Sequence, residues 1–243
     1  MLRVFRCIQG EEMKSRHTLI PVLHLLFPLF GAGAFAGYFH ISGWDETTNI
    51  AVFLEAIAIV IPFAMGIISA MEVQLEEEAG HFQMLLGTIP SRGTVYMGKC
   101  LYLIMWCGFS TALCIFLFAL LYPAMSLSFY IKPFVMLLLS GVPLYLLSLL
   151  IGFSFGRGCA LGIGIAGSLL SALFATGLGD FVWKFLPWGW GIRLAEYCVL
   201  EHAYPEQFYA GFHEMQTGFF IMIFFTVLLF VGSFWWSERW EGK

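Results

Sequence analysis

Long apolar runs alternate with short polar connections along the 243 residues of this chain. An α-helix needs about 20 mainly apolar residues to cross the hydrocarbon core of a bilayer. Six runs reach that length, so the pattern predicts an all-α polytopic membrane protein with six transmembrane helices. The predicted spans cover residues 18–39, 50–71, 100–121, 133–155, 158–179 and 218–236.

Residues 72–99 form the one long polar interruption among the early apolar runs. Its apolar residues recur at helical spacing, and Glu76, Glu77 and Glu78 are expected in the first turn, where carboxylates favour the helix dipole. So short an amphipathic helix needs a protein groove or the lipid surface to lie against. We favour a partner's groove in the cytoplasm, because anionic lipids repel three glutamates. The apolar face comprises Leu75, Ala79, Phe82 and Leu86.

The first 17 residues are too polar to form a span. Leu2, Phe5 and Ile8 alternate there with arginines, which predicts a short helix lying in the cytoplasmic membrane interface. A cleaved signal peptide is the alternative, but the apolar run that follows is long for one. The chain thus divides into an interfacial helix, 1–17, and a six-span membrane domain, 18–243.

The basic residues are distributed unevenly across the predicted membrane. Only 12% of the chain is charged, about half the fraction of a soluble domain, so each charge is informative. Nine of the twelve lysines and arginines fall on one side, which places both termini and the 72–99 segment in the cytoplasm. These nine are Arg3, Arg6, Lys14, Arg16, Arg92, Lys99, Arg157, Arg239 and Lys243; Lys132, Lys184 and Arg193 lie opposite.

The connection of residues 180–217 is predicted to be extracellular and is rich in aromatic residues. Pro187, Gly189 and Gly191 are expected to break it into two short re-entrant helices that cap a lateral opening in the outer leaflet. The alternative is a plain aromatic belt at the membrane interface. Its aromatic residues are Trp183, Phe185, Trp188, Trp190, Tyr197, Tyr204, Phe208, Tyr209 and Phe212.

Several stretches imitate enzyme motifs but lack the context that the chemistry needs. Residues 93–99 resemble a phosphate-binding loop, yet Cys100 stands where a magnesium-binding Ser or Thr is required. Residues 162–167 match the dinucleotide fingerprint, but within a span such small residues let helices approach closely. Cys107 and Cys114 follow Cys100 at heptad spacing without His or acidic companions, which indicates packing. We therefore expect no catalytic residue, metal site or cofactor in this chain.

Glu55 is the one clear acid inside a predicted span. Ion-coupled secondary transporters usually carry their coupling ion on buried acids or bases. A single carboxylate near the outer end of a span more readily faces a helix neighbour or an outer vestibule than a proton path. A secondary transporter therefore stays an alternative, as does a membrane enzyme.

Two stretches resemble the coupling-segment signature of the type-2 ABC exporter permeases. They are Glu78-Ala79-Gly80-His81-Phe82-Gln83-Met84-Leu85-Leu86, and Pro90-Ser91-Arg92 followed by Tyr96-Met97-Gly98-Lys99. Within these permeases, the chain is most similar to the small subunits of lantibiotic-immunity and bacitracin-resistance transporters. The order of elements resembles that family over nearly the whole chain.

The resemblance implies a permease subunit in the bacterial cell membrane, without nucleic-acid partners. It would pair with an ATPase subunit, which binds ATP and magnesium, and with a second related permease or a second copy of itself. The implied cargo is an amphiphilic, lantibiotic-type peptide, expelled to give immunity or resistance. Another amphiphilic cargo is the alternative. An ATPase gene adjacent to the gene of this chain would favour an ABC permease over a secondary transporter.

The resemblance also implies roles for particular residues. Phe82, Leu85 and Leu86 would form the apolar face that meets the ATPase, with Glu78 and Arg92 as its polar fasteners. Contacts with the cargo are expected among the outer aromatic residues, for example Trp188, Trp190 and Tyr197.

Overall fold

A computed structural model describes residues 2–80, 82, 87 and 91–242. Within these ranges the chain is helical, with two short 3-10 turns at Gly177–Gly179 and Trp183–Phe185. The α-helices are α1 (Leu2–Ser15), α2 (Leu19–Phe39), α3 (Glu46–Glu78), α4 (Arg92–Leu121), α5 (Ile131–Phe155), α6 (Arg157–Phe174), α7 (Pro187–Ala203) and α8 (Pro205–Arg239).

Six helices in the described part of the chain are long and apolar enough to cross a membrane, namely α2 to α6 and α8. The predicted all-helical fold with six spans is thus confirmed. Helix α8 begins at Pro205, well before the predicted start at residue 218. Pro205 occupies the first turn, where its fixed φ suits a helix start, and the polar residues after it continue the helix.

Helix α3 also extends beyond its predicted span and ends only at Glu78. Its N-cap is Asp45, whose carboxylate accepts a hydrogen bond of 3.0 Å from the backbone N–H of Thr48. Gly80, with φ of 104°, follows its last turn, as is typical of helix ends. The expectation that Glu76–Glu78 begin a separate helix is therefore wrong, because no helix breaker separates them from the span.

Helices α3 and α6 approach each other through glycines. A methyl group added to Gly66 would lie 2.6 Å from the Cα of Gly164. Residues 162–167 thus contribute to helix packing and not to a dinucleotide loop, as predicted. Residues 93–99 likewise lie within helix α4. The cysteines of α4 are buried, which confirms their role in packing: Cys100, Cys107 and Cys114.

The predicted pair of short outer helices is only partly correct. Helix α7 forms the first and packs against α3, α5, α6 and α8, whereas the second is the beginning of α8. Gly189 and Gly191 do not break α7 but lie inside it. A Cβ on Gly191 would lie 2.9 Å from Ser140 Oγ, and one on Gly189 would lie 2.9 Å from Trp183 Cβ. The glycines therefore provide room for close neighbours.

Candidate coupling site

A buried ion cluster joins α1, α3 and α4 near the end of α3. The ammonium of Lys99, at the start of α4, lies 2.5 Å from Glu72 Oε2 and 3.2 Å from Glu76 Oε1, and it also pairs with Glu11. All four side chains are at most 2% exposed. The three helices thus meet around a single buried lysine.

Helix α1 contributes further contacts to this cluster. Lys14 Nζ lies 2.7 Å from Glu76 Oε1 and 2.9 Å from Glu11 Oε1, and Ser15 Oγ donates to Glu72 Oε1 at 3.3 Å. Burial alone would lower the pKa of Lys14, but the attraction of the Glu11 and Glu76 carboxylates outweighs it and the pKa is raised. Lys14 therefore stays charged and helps to hold α1 against α3.

Burying charges is costly, and losing one partner of a buried pair leaves an uncompensated charge. We therefore infer that the cluster fixes the arrangement of α1, α3 and α4. The cluster was not predicted from the sequence, although Lys99 closes the Tyr96–Lys99 stretch of the family signature. A second signal was the spacing of Glu72 and Glu76, one helical turn apart.

Phe82 lies in the interior of the chain and not on an exposed docking face. Its side chain is 4% exposed, and its ring centroid lies 5.1 Å from that of Trp240 and 6.0 Å from that of Phe153. The chain's own aromatic residues thus fill the space around the ring, and a contact between Phe82 and an ATPase stays a prediction. A coupling role for the segment stays a prediction, in which Phe82 acts as an internal anchor.

The other predicted coupling residues fall in different surroundings. Arg92 Nη1 donates to the backbone carbonyl of Trp240 at 2.8 Å, so it fastens the end of α8. Glu78 is exposed and accepts a hydrogen bond of 2.7 Å from Gln74. Leu85 and Leu86 lie outside the described residues. The structure thus brings Phe82 and Arg92 together around Trp240 and leaves Glu78 free to face a partner.

The predicted cargo residues of the outer segment are mostly packed within the protein. Trp190 is fully buried, and its Nε1 donates to the carbonyl of Lys184 at 2.8 Å. Trp188 is half-buried over Gly167, and Tyr197 is half-buried against Gly211. The rings of Trp188 and Tyr197 occupy the space that these two glycines leave free in neighbouring helices. Sequence composition could not separate such packing from a binding surface.

Acidic residues of the outer segment form ion pairs with the three basic residues nearby. Arg193 Nη1 lies 3.0 Å from Glu196 Oε2, and its Nη2 contacts Asp180. Lys184 Nζ lies 3.0 Å from Glu214 Oε1. Lys132 pairs with Glu201. The half-buried Glu55 carboxylate lies on α3 near Arg193 and Glu196, so it faces the middle of α7.

No curated protein matches this chain significantly. The sequence model described as "ABC-2 family transporter protein" matches residues 7–174, which is more than half of the chain. The matched region contains the Lys99 cluster and the segment between α3 and α4. The chain therefore belongs to the ABC-2 transporter family, the membrane permeases of ABC transporters.

Proposed function

We propose that this permease is driven by a separate ATPase and expels an amphiphilic, lantibiotic-type peptide to give immunity or resistance. The observation that carries the proposal is the segment between α3 and α4. Its residues resemble the signature of lantibiotic-immunity permeases, and its described flanks are held by buried aromatic and ionic contacts. A segment whose described flanks are held in this way can pass a displacement from an ATPase to the spans.

The side that meets the ATPase follows from the charge distribution. Nine of the twelve basic residues are predicted, from the sequence, on the same side as the termini, which supports a cytoplasmic location for that end. Glu77 and Glu78 are exposed there at the end of α3. We propose Glu78, together with Leu85 and Leu86, as direct contacts of the ATPase, which binds the ATP and magnesium.

Two glycine pairs support a second permease, either a related subunit or a second copy of this chain. A Cβ on Gly33, Gly37, Gly158 or Gly162 would meet nothing within 4 Å in the described part of the chain. Each pair has the spacing that lets helices of two membrane proteins approach closely. We therefore propose α2 and α6 as the faces toward the second permease.

A cationic peptide would meet an acidic, aromatic outer surface. Seven acidic residues but only three basic ones are predicted on that side, although the ion pairs described above weaken the field. The attraction is short-ranged, because the Debye length is about 8 Å at physiological salt. Tyr209 is 74% exposed and fits a cargo contact better than the buried Trp190.

A peptide-protection assay tests the proposed cargo. Strains that carry the complete transporter are challenged with a panel of lantibiotics and unrelated peptides, and protection is normalised to permease abundance. We expect Tyr209→Ser to keep its abundance but to protect less against one peptide class. Trp190→Leu should lose abundance and protection together, since it leaves a buried cavity. Equal protection by wild type and a strain without the permease would refute the cargo proposal.

A labelling test of the orientation in the membrane needs introduced cysteines, because Cys198 is a poor target. Burial raises the pKa of its thiol to about 12, and Sγ donates to the carbonyl of Leu194. In a chain with Cys7 and Cys159 replaced by serine, an impermeant maleimide should label Gln207→Cys in whole cells. Glu77→Cys should react only after permeabilisation. The reverse pattern would contradict the proposed orientation.

A further inference from the structure

The last residues of α8 contact both described flanks of the segment between α3 and α4. On one flank, the ring of Phe82 packs against the ring of Trp240, with centroids 5.1 Å apart. On the other, Arg92 Nη1 donates to the backbone carbonyl of Trp240 at 2.8 Å. Trp240 is therefore a common neighbour of Phe82, within the segment, and of Arg92, at the start of α4.

Glu238 adds a contact at the start of α4. Its Oε1 accepts a hydrogen bond of 3.0 Å from the backbone N–H of Gly93, one of the groups that a helix N-terminus leaves without a partner. A carboxylate at this position also favours the positive end of the helix dipole. A Cβ on residue 93 would lie 2.6 Å from the same oxygen, so glycine permits the contact.

The backbone of Phe82 points to the same element. Its φ of 66° is left-handed, which is rare for a bulky aromatic residue. Such a conformation persists only where the surroundings hold it in place. The rings of Trp240 and Phe153 enclose the Phe82 side chain. The conformation of Phe82 therefore depends on Trp240 at the end of α8 together with Phe153 of α5.

We propose that Trp240 and Glu238 are positioning residues that tie the coupling segment to α8. A displacement of the segment by the ATPase then moves α8 together with α3 and α4. Helix α8 is continuous over 35 residues, or about 50 Å, and its other end carries the exposed Tyr209. One continuous helix thus connects the coupling segment to the opposite end of the bundle, which carries Tyr209. This inference rests on the proposed function, in which an ATPase acts on this segment.

The test compares two tryptophans of the same region in proteoliposomes that contain the permease and its ATPase. Trp235 is the matched control, since its ring is 58% exposed and stacks on the Arg239 guanidinium, 3.8 Å from its centroid. Trp240→Leu should still assemble with the ATPase. The amount of peptide moved per ATP hydrolysed should fall about fivefold or more, the lower end of usual coupling between sites. Trp235→Leu should leave that ratio near the wild-type value.

A purely structural role would lower the amount of assembled complex without changing the ratio per complex, and that result would overturn the inference. Trp240→Phe should move more peptide per ATP hydrolysed than Trp240→Leu does. Glu238→Gln, which keeps the shape but removes the charge, provides a second variant if Trp240→Leu does not fold. Its ratio should fall as well, and a wild-type ratio in both variants would refute the inference.

A spectroscopic distance measurement reports the movement itself. Spin labels at Gln207→Cys on α8 and Ile131→Cys on α5, a helix outside the group that is proposed to move, should change their separation when ATP and vanadate are added. We expect Trp240→Leu to abolish this change. A wild-type complex that transports peptide while its α8 stays still would refute only the inference. A wild-type complex without ATP-dependent transport would refute the proposed function itself.

Discussion

Replacing Lys99 by methionine perturbs the buried ion cluster with little change in volume. In the folded protein, Lys99 and Lys14 face three carboxylates, Glu11, Glu72 and Glu76. Lys99→Met leaves these three acids with one lysine, whose side chain is 38% exposed. Removing one partner of a buried ion pair costs about 3–5 kcal/mol, because the remaining charge stays buried. We expect a destabilisation of that size.

The assay is thermal unfolding of the purified protein in detergent, combined with labelling of Cys7. Cys7 lies against α4, where a Cβ on Gly98 would come 2.5 Å from the Cys7 Cβ. If the cluster holds α1 in place, Lys99→Met should lower the unfolding temperature and raise the labelling rate of Cys7. The double variant Lys99→Met with Glu72→Gln should recover part of the loss, since it removes one of the unpaired charges.

Lys132→Met is the matched control for this prediction. Lys132 pairs with Glu201 on the surface, where the side chains are 42% and 43% exposed. Exposed ion pairs contribute about 0–1 kcal/mol. A Lys99→Met protein that unfolds at the same temperature as Lys132→Met, with Cys7 equally protected, would refute the view that the cluster fixes α1.

Three further predictions concern other parts of the molecule. Gly164→Ala should lower the free energy of unfolding by about 1–3 kcal/mol through overpacking, because its methyl group would meet the Gly66 backbone. Gly232→Ala, with open space around it, should be neutral in the same unfolding assay. The hydrogen bonds from Thr48 lower the pKa of Asp45. The Asp45 carboxylate therefore stabilises α3 fully above the ordinary carboxyl pKa, and this stabilisation is lost as the pH falls through the lowered pKa. Asp45→Ala should lower the unfolding temperature at neutral pH but not in strong acid. Glu55→Gln should leave ATP-driven transport intact, and a complete loss of transport would favour an ion-coupled mechanism.

The six spans were predictable because hydropathy over a window of about 20 residues is a local property. The ends of the helices were not, since α3 and α8 continue beyond the apolar runs into polar sequence. No periodicity distinguishes Glu78 at the end of one helix from the same residue at the start of another. The absence of a helix breaker before Gly80 was the usable signal.

The candidate site was predictable only as a stretch of sequence. The contacts that define it join residues far apart in the chain, such as Lys99 with Glu11 and Phe82 with Trp240. A single sequence does not reveal such pairs. Phe82 matched an apolar helical face, but an apolar face can be buried by the chain itself as well as by a partner. For the same reason Trp190 suggested a binding surface although it packs inside the bundle.

The most direct test of the proposed function is the energy dependence of peptide movement in proteoliposomes that contain this permease and its proposed ATPase partner. We expect peptide transport only with ATP. It should stop with vanadate or with substitution of the phosphate-binding lysine of the ATPase. Transport that continues without ATP and follows an ion gradient would contradict the assignment of this permease to an ATP-driven peptide exporter.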